Sequence, residues 1–441
     1  YTFDKQIGET FEGTSGNAIV GNNLQFSNDG KILVVDSKIY HLVDNAWMQM
    51  GNDICMDVHC DALELSGDGR TLAIADRGSQ NIDGVFRYNI GKVTTYRYGN
   101  NIWIQHGSPI YGEFREDMCC EMSLSENGEI LAIGASNHDR DGNDVREWYD
   151  TGHVRVYQYR GGWQQMGSDI DGQSGYQQFG DLVELSNNGL TLAVRGIKRN
   201  RPIPVTSSFV KVFDYDVDLE EWIQKGNRIA FGRGVPEGSF ASEISLSANG
   251  NRLVATSPTD ILDSKRGAVY VFDFDGSMWD AYGLRGRNYV SFGDTAQLSA
   301  NGELLAVGDE YGDPNGSAGR GLVELFKYRG NYQFGAQPEK LTDDYYFFEN
   351  PRKFGKKLSI SSNGLMLAVY SADGIVRVLS LSDSPPMLTS SVDDSINEGS
   401  VALGSISASE PVIWSSSSNL VSVSQSGELS LNSPASFDNT P

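Results

Sequence analysis

Histidine and cysteine are scarce, with five and four residues in a chain of 441. The histidines (His41, His59, His106, His138, His153) fall in no HExxH pattern. No GxSxG or P-loop run is present either, so these local signatures of hydrolases and nucleotide-binding loops are missing. Positive charge is also short: Lys and Arg number 35 against 58 Asp and Glu, a net charge of -23. A surface this acidic repels phosphate backbones, which excludes nucleic-acid partners. It suits solubility, high salt or loosely held divalent cations. No apolar run approaches the roughly 18–20 residues that span a bilayer as a helix, which argues against membrane insertion. The chain opens at Tyr1 with neither Met nor a charged-then-apolar leader, as after removal of a targeting peptide or where Tyr1 is the first ordered residue.

Glycine, by contrast, is abundant at 50 residues, and it recurs in one pattern. An apolar alternating stretch ends in Ser, Gly follows three residues later, and a second apolar stretch begins. The Ser positions are 27, 66, 125, 186, 247, 299 and 361, as in LELSGDGRTLAIA from Leu63 and AQLSANGELLAVG from Ala296. Period-two alternation predicts strands on either side. The Asn-Gly or Asp-Gly pair is expected to supply the positive φ of a tight hairpin, with Ser bonding the turn backbone. A second hairpin follows in most copies, with third strands such as GHVRVYQY from Gly152. Fourth strands begin at Trp47, Trp103, Trp163, Trp222 or Trp279 and reach a Gly. Four antiparallel strands make a propeller blade, so an all-β, seven-bladed β-propeller is expected over residues 1–381. The seventh copy lacks a fourth strand, while YTFDKQIG at the start precedes the first. The N-terminal strand is therefore expected to close the last blade.

The repeat resembles the FG-GAP-like repeats of integrin-α-type propellers. Phe179-Gly180, Phe292-Gly293 and Phe354-Gly355 carry the likeness, with Gly134-Ala135-Ser136; Phe114 and Phe240 lack the following Gly. The resemblance implies extracellular recognition or assembly. Residues 382–391, with Pro385-Pro386, read as a linker. Residues 392–441 resemble the opening part of a cadherin-like β-sandwich module, through Glu398, Ala408, Ser426-Gly427-Glu428-Leu429 and Phe437-Asp438-Asn439. Ser409-Glu410-Pro411 stands where that family has an Asp-rich motif. About 50 residues make half a sandwich, so further modules or a partner chain are expected to complete it.

No catalytic residue is assigned. Among cofactors none is certain; Ca2+ is the one candidate, at Asp139, Asp141 and Asn143, which have alternate spacing in an Asp-rich loop. A solvated acidic loop is the alternative. Cys55, Cys60, Cys119 and Cys120 are disulfide candidates, because Cys60 and Cys119 each lie six residues before a repeat Ser; free thiols and a zinc site with His59 are the alternatives. Asn315-Gly316-Ser317 is a glycosylation sequon. His106 and His153 lie inside repeat strands and read as structural. Glu64, Glu121, Glu184 and Glu243 lie near the innermost strands, where recurrence argues for structure or solubility rather than paired-carboxylate catalysis. Loops Asn137–Thr151, Gly196–Ser207, Ser257–Gly267 and Asp309–Gly321 leave one face, where recognition normally sits. The expected function is thus a secreted or cell-surface, non-enzymatic module that binds protein or glycan. A polysaccharide-acting propeller enzyme and an intracellular WD-repeat-like scaffold are the alternatives; the Gly-His and Trp-Asp signatures of the latter are missing.

Overall fold

In the computed structural model each Ser-centred copy forms one small antiparallel sheet, and seven such sheets stand in a ring. The structure describes residues 2–12, 23–52, 54, 61–78, 80–82, 85–87, 90–112, 121–138, 150–200, 205–230, 240–262, 265–285, 292–312, 321–328, 339–340, 354–372, 374–382, 388–392, 402–408, 421–423 and 428–431. No described residue is helical. By its contacts the chain divides into two units, one over Phe3–Leu381 and one of Tyr1–Thr2 with Ser382–Pro441.

Blade 2 shows the common plan: Ala62–Leu65, Thr71–Asp76, Lys92–Gly99 and Ile102–Gln105 pair in that order. The inner strands of blades 1 to 7 are Leu24–Phe26, Ala62–Leu65, Met122–Leu124, Leu182–Leu185, Ile244–Leu246, Thr295–Leu298 and Phe354–Ile360. Each contacts the next around the ring. Between blades the apolar faces interlock. Leu192 and Val194 of the second strand of blade 4 pack toward Val154 and Val156 of blade 3, while Ala193 between them joins the cluster with Leu253 and Ala255 of blade 5.

The repeat Ser organises the inner hairpin through its hydroxyl. Ser66 Oγ donates to Asp68 at 2.6 Å and accepts the Thr71 amide at 2.9 Å. The same pair of bonds recurs at Ser125, Ser186 and Ser299. Positive φ falls on the Gly alone, 70° at Gly69 and 68° at Gly128; the preceding Asp or Asn keeps negative φ and acts through its side chain. The turn is therefore a type I turn followed by a left-handed Gly, rather than a turn with two positive φ values. Two positive φ values occur in the outer hairpins, at Asp44-Asn45 and Asn100-Asn101.

Backbone bonds then tie blade to blade in a closed belt. The residue after each Ser donates its amide to the equivalent carbonyl of the next blade: Asn28 to Gly67, Glu126 to Asn187, Asn187 to Ala248, Ala248 to Ala300, Ala300 to Ser362, and Ser362 back to Asn28, at 2.6–3.2 Å. In blade 2 the donor to Glu126 is Asp68. The outer Trp residues add a second tie: Trp103 Nε1 donates to the Met50 carbonyl at 3.0 Å, and Trp222 Nε1 to the Met166 carbonyl at 2.8 Å.

The ring closes as expected. Thr2–Gln6 forms the outer strand of blade 7 beside Ile375–Ser382, and Phe11 pairs with Val376 on the same strand. The Phe-Gly pairs are clasped by the preceding blade, Phe179 bridging Gly152 and Phe354 bridging Gly321. Their glycines have φ of 90° at Gly180 and 82° at Gly355, and Ala241, after the buried Phe240, keeps this conformation with φ 57°. An L side chain is strained there. Ala241→Gly is expected to stabilise the domain by ~1 kcal/mol in denaturant titration, and an unchanged or lowered midpoint contradicts the strain.

Two expected loops are hairpins. In blade 4 the pairing of Thr191–Asn200 with Val205–Asp216 continues to Asn200↔Val205. In blade 5 it continues past a bulge between Ser257 and Ile261 to Leu262↔Lys265. The unit that includes Ser382–Pro441 holds one four-stranded sheet in the order Leu388–Val392, Ala402–Ala408, Glu428–Leu431, Val421–Val423. Its first strand begins inside the expected linker 382–391 and runs one residue beyond it.

Candidate functional site

The inner strands enclose a cavity of about 280 Å³ at the ring axis. The second residue before the repeat Ser lines it in every blade but the third, and Asn23 and Lys357, four residues before theirs, line it as well. The nearer position reads Gln25, Glu64, Ser123, Glu184, Ser245, Gln297 and Ser359, polar in every blade within otherwise apolar strands. The reason is a side-chain latch to the next blade. Gln25 Oε1 accepts the Leu65 amide at 2.7 Å, Ser123 Oγ the Leu185 amide at 2.9 Å, Ser245 Oγ the Leu298 amide at 3.1 Å, and Ser359 Oγ the Phe26 amide at 2.9 Å. Glu64 and Glu184 accept from the Leu124 and Leu246 amides in the same way. These amides have no partner within their own sheet, so the latch satisfies donors that would otherwise be orphaned.

Carboxylates are the expensive form of this latch. Burial pushes Glu64 up from 4.5 to about 8, against hydrogen bonds from Gln25 and the Leu124 backbone and the attraction of Lys357. Burial raises Glu184 well above the ordinary range, and repulsion from Glu64, Glu121 and Glu243 adds to it. Burial likewise raises Glu243, opposed by Thr295, Lys357 and the Ala296 amide. All four side chains are half-buried, and Glu64 and Glu184 line the cavity. The structure thus gathers the four glutamates that sequence places near the inner strands, in two layers rather than one.

A second acidic group lies in blade 6, beside the start of its first strand and at the end of its second. Asp294 is raised to about 7 and Asp309 to about 6, both first by burial. Asp294 accepts the Glu310 amide at 3.0 Å, and Asp309 the Tyr311 amide at 3.1 Å, so both terminate strands. His106 stacks on Tyr159 with centroids 3.8 Å apart, and burial lowers its pKa, in keeping with a packing role.

Asp139, Asp141, Asn143, Cys55, Cys60, Cys119, Cys120 and Asn315 lie outside the described residues. His153 is described and meets Asp169 and Asp171, an association that linear spacing does not reveal. The latch was legible in principle, since a polar residue recurs in every apolar inner strand.

Every blade runs from inner to outer strand, so the Ser-centred and outer hairpins share one face and all longer connections share the other. The blade 4 and blade 5 hairpins extend from the latter face. The first strand of the blade 4 hairpin ends in Lys198-Arg199-Asn200, with two positive charges in a chain of net charge -23. Neither the protein-family models nor the curated proteins contain a match to this chain.

Proposed function

We propose that the protein is a non-enzymatic recognition module, secreted or at the cell surface, that holds a protein or glycan ligand on the face bearing the long connections. The FG-GAP-like and cadherin-like resemblances support the extracellular setting and a role in adhesion or assembly. The observation that carries the reading is the pair of hairpins on adjacent blades 4 and 5, which extend a rigid scaffold beyond its sheets. Rigid elements lower the entropy lost on binding, and the basic strand end of the first favours an anionic patch on the ligand. The channel carboxylates are engaged in inter-blade bonds, which favours binding over catalysis.

The test is a glycan and extracellular-protein array probed with the full chain and with a variant in which residues 197–208 are replaced by an Asn-Gly turn. Wild type is expected to capture a discrete ligand set that the variant loses while melting unchanged. Equal capture by both proteins, or cleavage of an arrayed polysaccharide, contradicts the reading.

A further inference from the structure

We propose that blade 6 holds a hard divalent cation, Ca2+ or Mg2+, between the carboxylates of Asp294 and Asp309. Blade 2 shows what these positions need. There Ala62 pairs with Ala75 and Lys92 with Asp76, so Asp61, Asp76 and Lys92 form a row across three strands. Asp61 Oδ2 accepts the Arg77 amide at 2.7 Å, and Asp76 Oδ1 the Gly78 amide at 2.8 Å. Lys92 Nζ, 3.4 Å from Asp76 Oδ2, supplies the positive charge.

Blade 6 repeats the row with its cation replaced. Thr295 pairs with Gly308 and Asp309 with Leu322, so Asp294, Asp309 and Leu322 stand where blade 2 has Asp61, Asp76 and Lys92. Both amide bonds are kept, from Glu310 to Asp294 Oδ2 and from Tyr311 to Asp309 Oδ1. Asp309 is fully buried, yet its Oδ2 has no hydrogen-bond partner among the described residues. Leu322, buried beside it, can offer none. Blade 4 solves the same problem differently, pairing Asp181 with Arg195 at 3.0 Å, where Arg195 lies opposite Leu182. That route is closed in blade 6. The Arg195 position is Gly308, and a Cβ there would collide with the Gly355 carbonyl oxygen. Among the described residues no Lys, Arg or His pairs with Asp294 or Asp309.

A buried carboxylate is stable only when paired, neutralised or bound to metal. Directly opposed residues of an antiparallel pair have Cβ atoms about 4.5–5.5 Å apart, a span that one cation bridges with an oxygen from each side. Oxygen donors alone select Ca2+ or Mg2+ over zinc and copper, which favour nitrogen and sulfur. Burial first, and then the charges of Glu324 and Glu310, raise Asp309, so the surroundings of Oδ2 favour a cation. Asp294 is only half-buried, which leaves a way in. A proton is the competing neutraliser. It serves only in acid to neutral solution, because Asp294 titrates at about 7 and Asp309 at about 6.

The experiment is thermal melting of the chelator-stripped full chain at pH 8 and pH 5, with and without millimolar Ca2+ or Mg2+. At pH 8 one or both ions are expected to raise the midpoint saturably by ~2 °C or more, and at pH 5, where protons hold the carboxyls, by much less. Leu322→Lys rebuilds the row of blade 2. It is expected to melt higher than wild type without added cation at pH 8 and to lose the response. Asp309→Asn keeps an acceptor for the Tyr311 amide but not the charge, and it too is expected to lose the response. It decides the matter alone if Leu322→Lys fails to fold. Absence of any shift in wild type at pH 8 overturns the proposal. So does a shift that either folded variant keeps in full, which assigns the cation to another site.

Discussion

Glu64→Gln raises the melting temperature above pH 7 and flattens the fall in stability that wild type shows from mildly acidic to mildly alkaline solution. The carboxyl of Glu64 keeps its proton to about pH 8 in the folded chain, against 4.5 when unfolded. Between those values the folded state binds more protons, so stability declines as pH rises through the window and is greatest at its acid end. Asp294 and Asp309, raised to about 7 and about 6, act in the same direction, so the variant keeps part of the slope. A tenfold difference in proton affinity is worth about 1.4 kcal/mol. The open cavity screens part of it, leaving ~1–3 kcal/mol, a few degrees in a domain of this size. Gln suits the position because Gln25 performs the same latch one blade earlier. Glu64→Ala removes the acceptor as well as the charge and is expected to destabilise, since the Leu124 amide is then orphaned. Melting curves at pH 5, 6, 7 and 8 decide the matter. If Glu64→Gln melts at or below wild type at pH 8, the buried carboxylate is not the burden described.

The ring was legible in sequence because its controlling residues recur at fixed offsets. Ser, the Asp or Asn two residues on, and Gly form a self-contained turn, so each copy announces its own hairpin. Closure was legible because one strand was missing at one end and one was supernumerary at the other. The blade 4 hairpin was not. Residues 196–207 read as a loop, yet the two strands stay paired as far as Asn200↔Val205. The glutamates were correctly placed near the axis, but their separation into two layers, two and four residues before Ser, depends on which side chains of alternate strands point inward. The blade 3 cluster depends on a return strand. Ile170–Asp171 pairs with a strand already occupied on its other half by Trp163–Gln165, and Ile110–Tyr111 does the same in blade 2. Such a register joins residues that no repeat period aligns.

Deleting residues 1–10 is expected to have the largest effect of any small change in this protein. The segment supplies the whole outer strand of blade 7, and the Ile7 amide donates to the Val378 carbonyl at 2.8 Å. Ile7 is buried in a cluster with Val376, Val378, Leu24 and Phe26, which spans blades 7 and 1. Its carbonyl accepts the Trp47 indole at 3.2 Å, so the deletion also removes the seat of the first outer Trp. Burial of one Ile side chain is worth about 1.5–3 kcal/mol and each lost backbone bond roughly 1 kcal/mol. The sum, about 5 kcal/mol or more, is comparable with the whole stability of a typical domain. The neighbours cannot compensate, because the inner belt returns from Ser362 to Asn28 and both residues stand beside the damaged seam. The truncated chain is expected to melt at least ~10 °C lower or to precipitate through the exposed edge of Ile375–Ser382. A synthetic peptide of residues 1–12 added in excess is expected to restore the midpoint in a saturable manner, since the strand is bound rather than chemically required. A truncated chain that melts with the intact protein, or one the peptide leaves unchanged, would show that the ring is held by its inner belt alone.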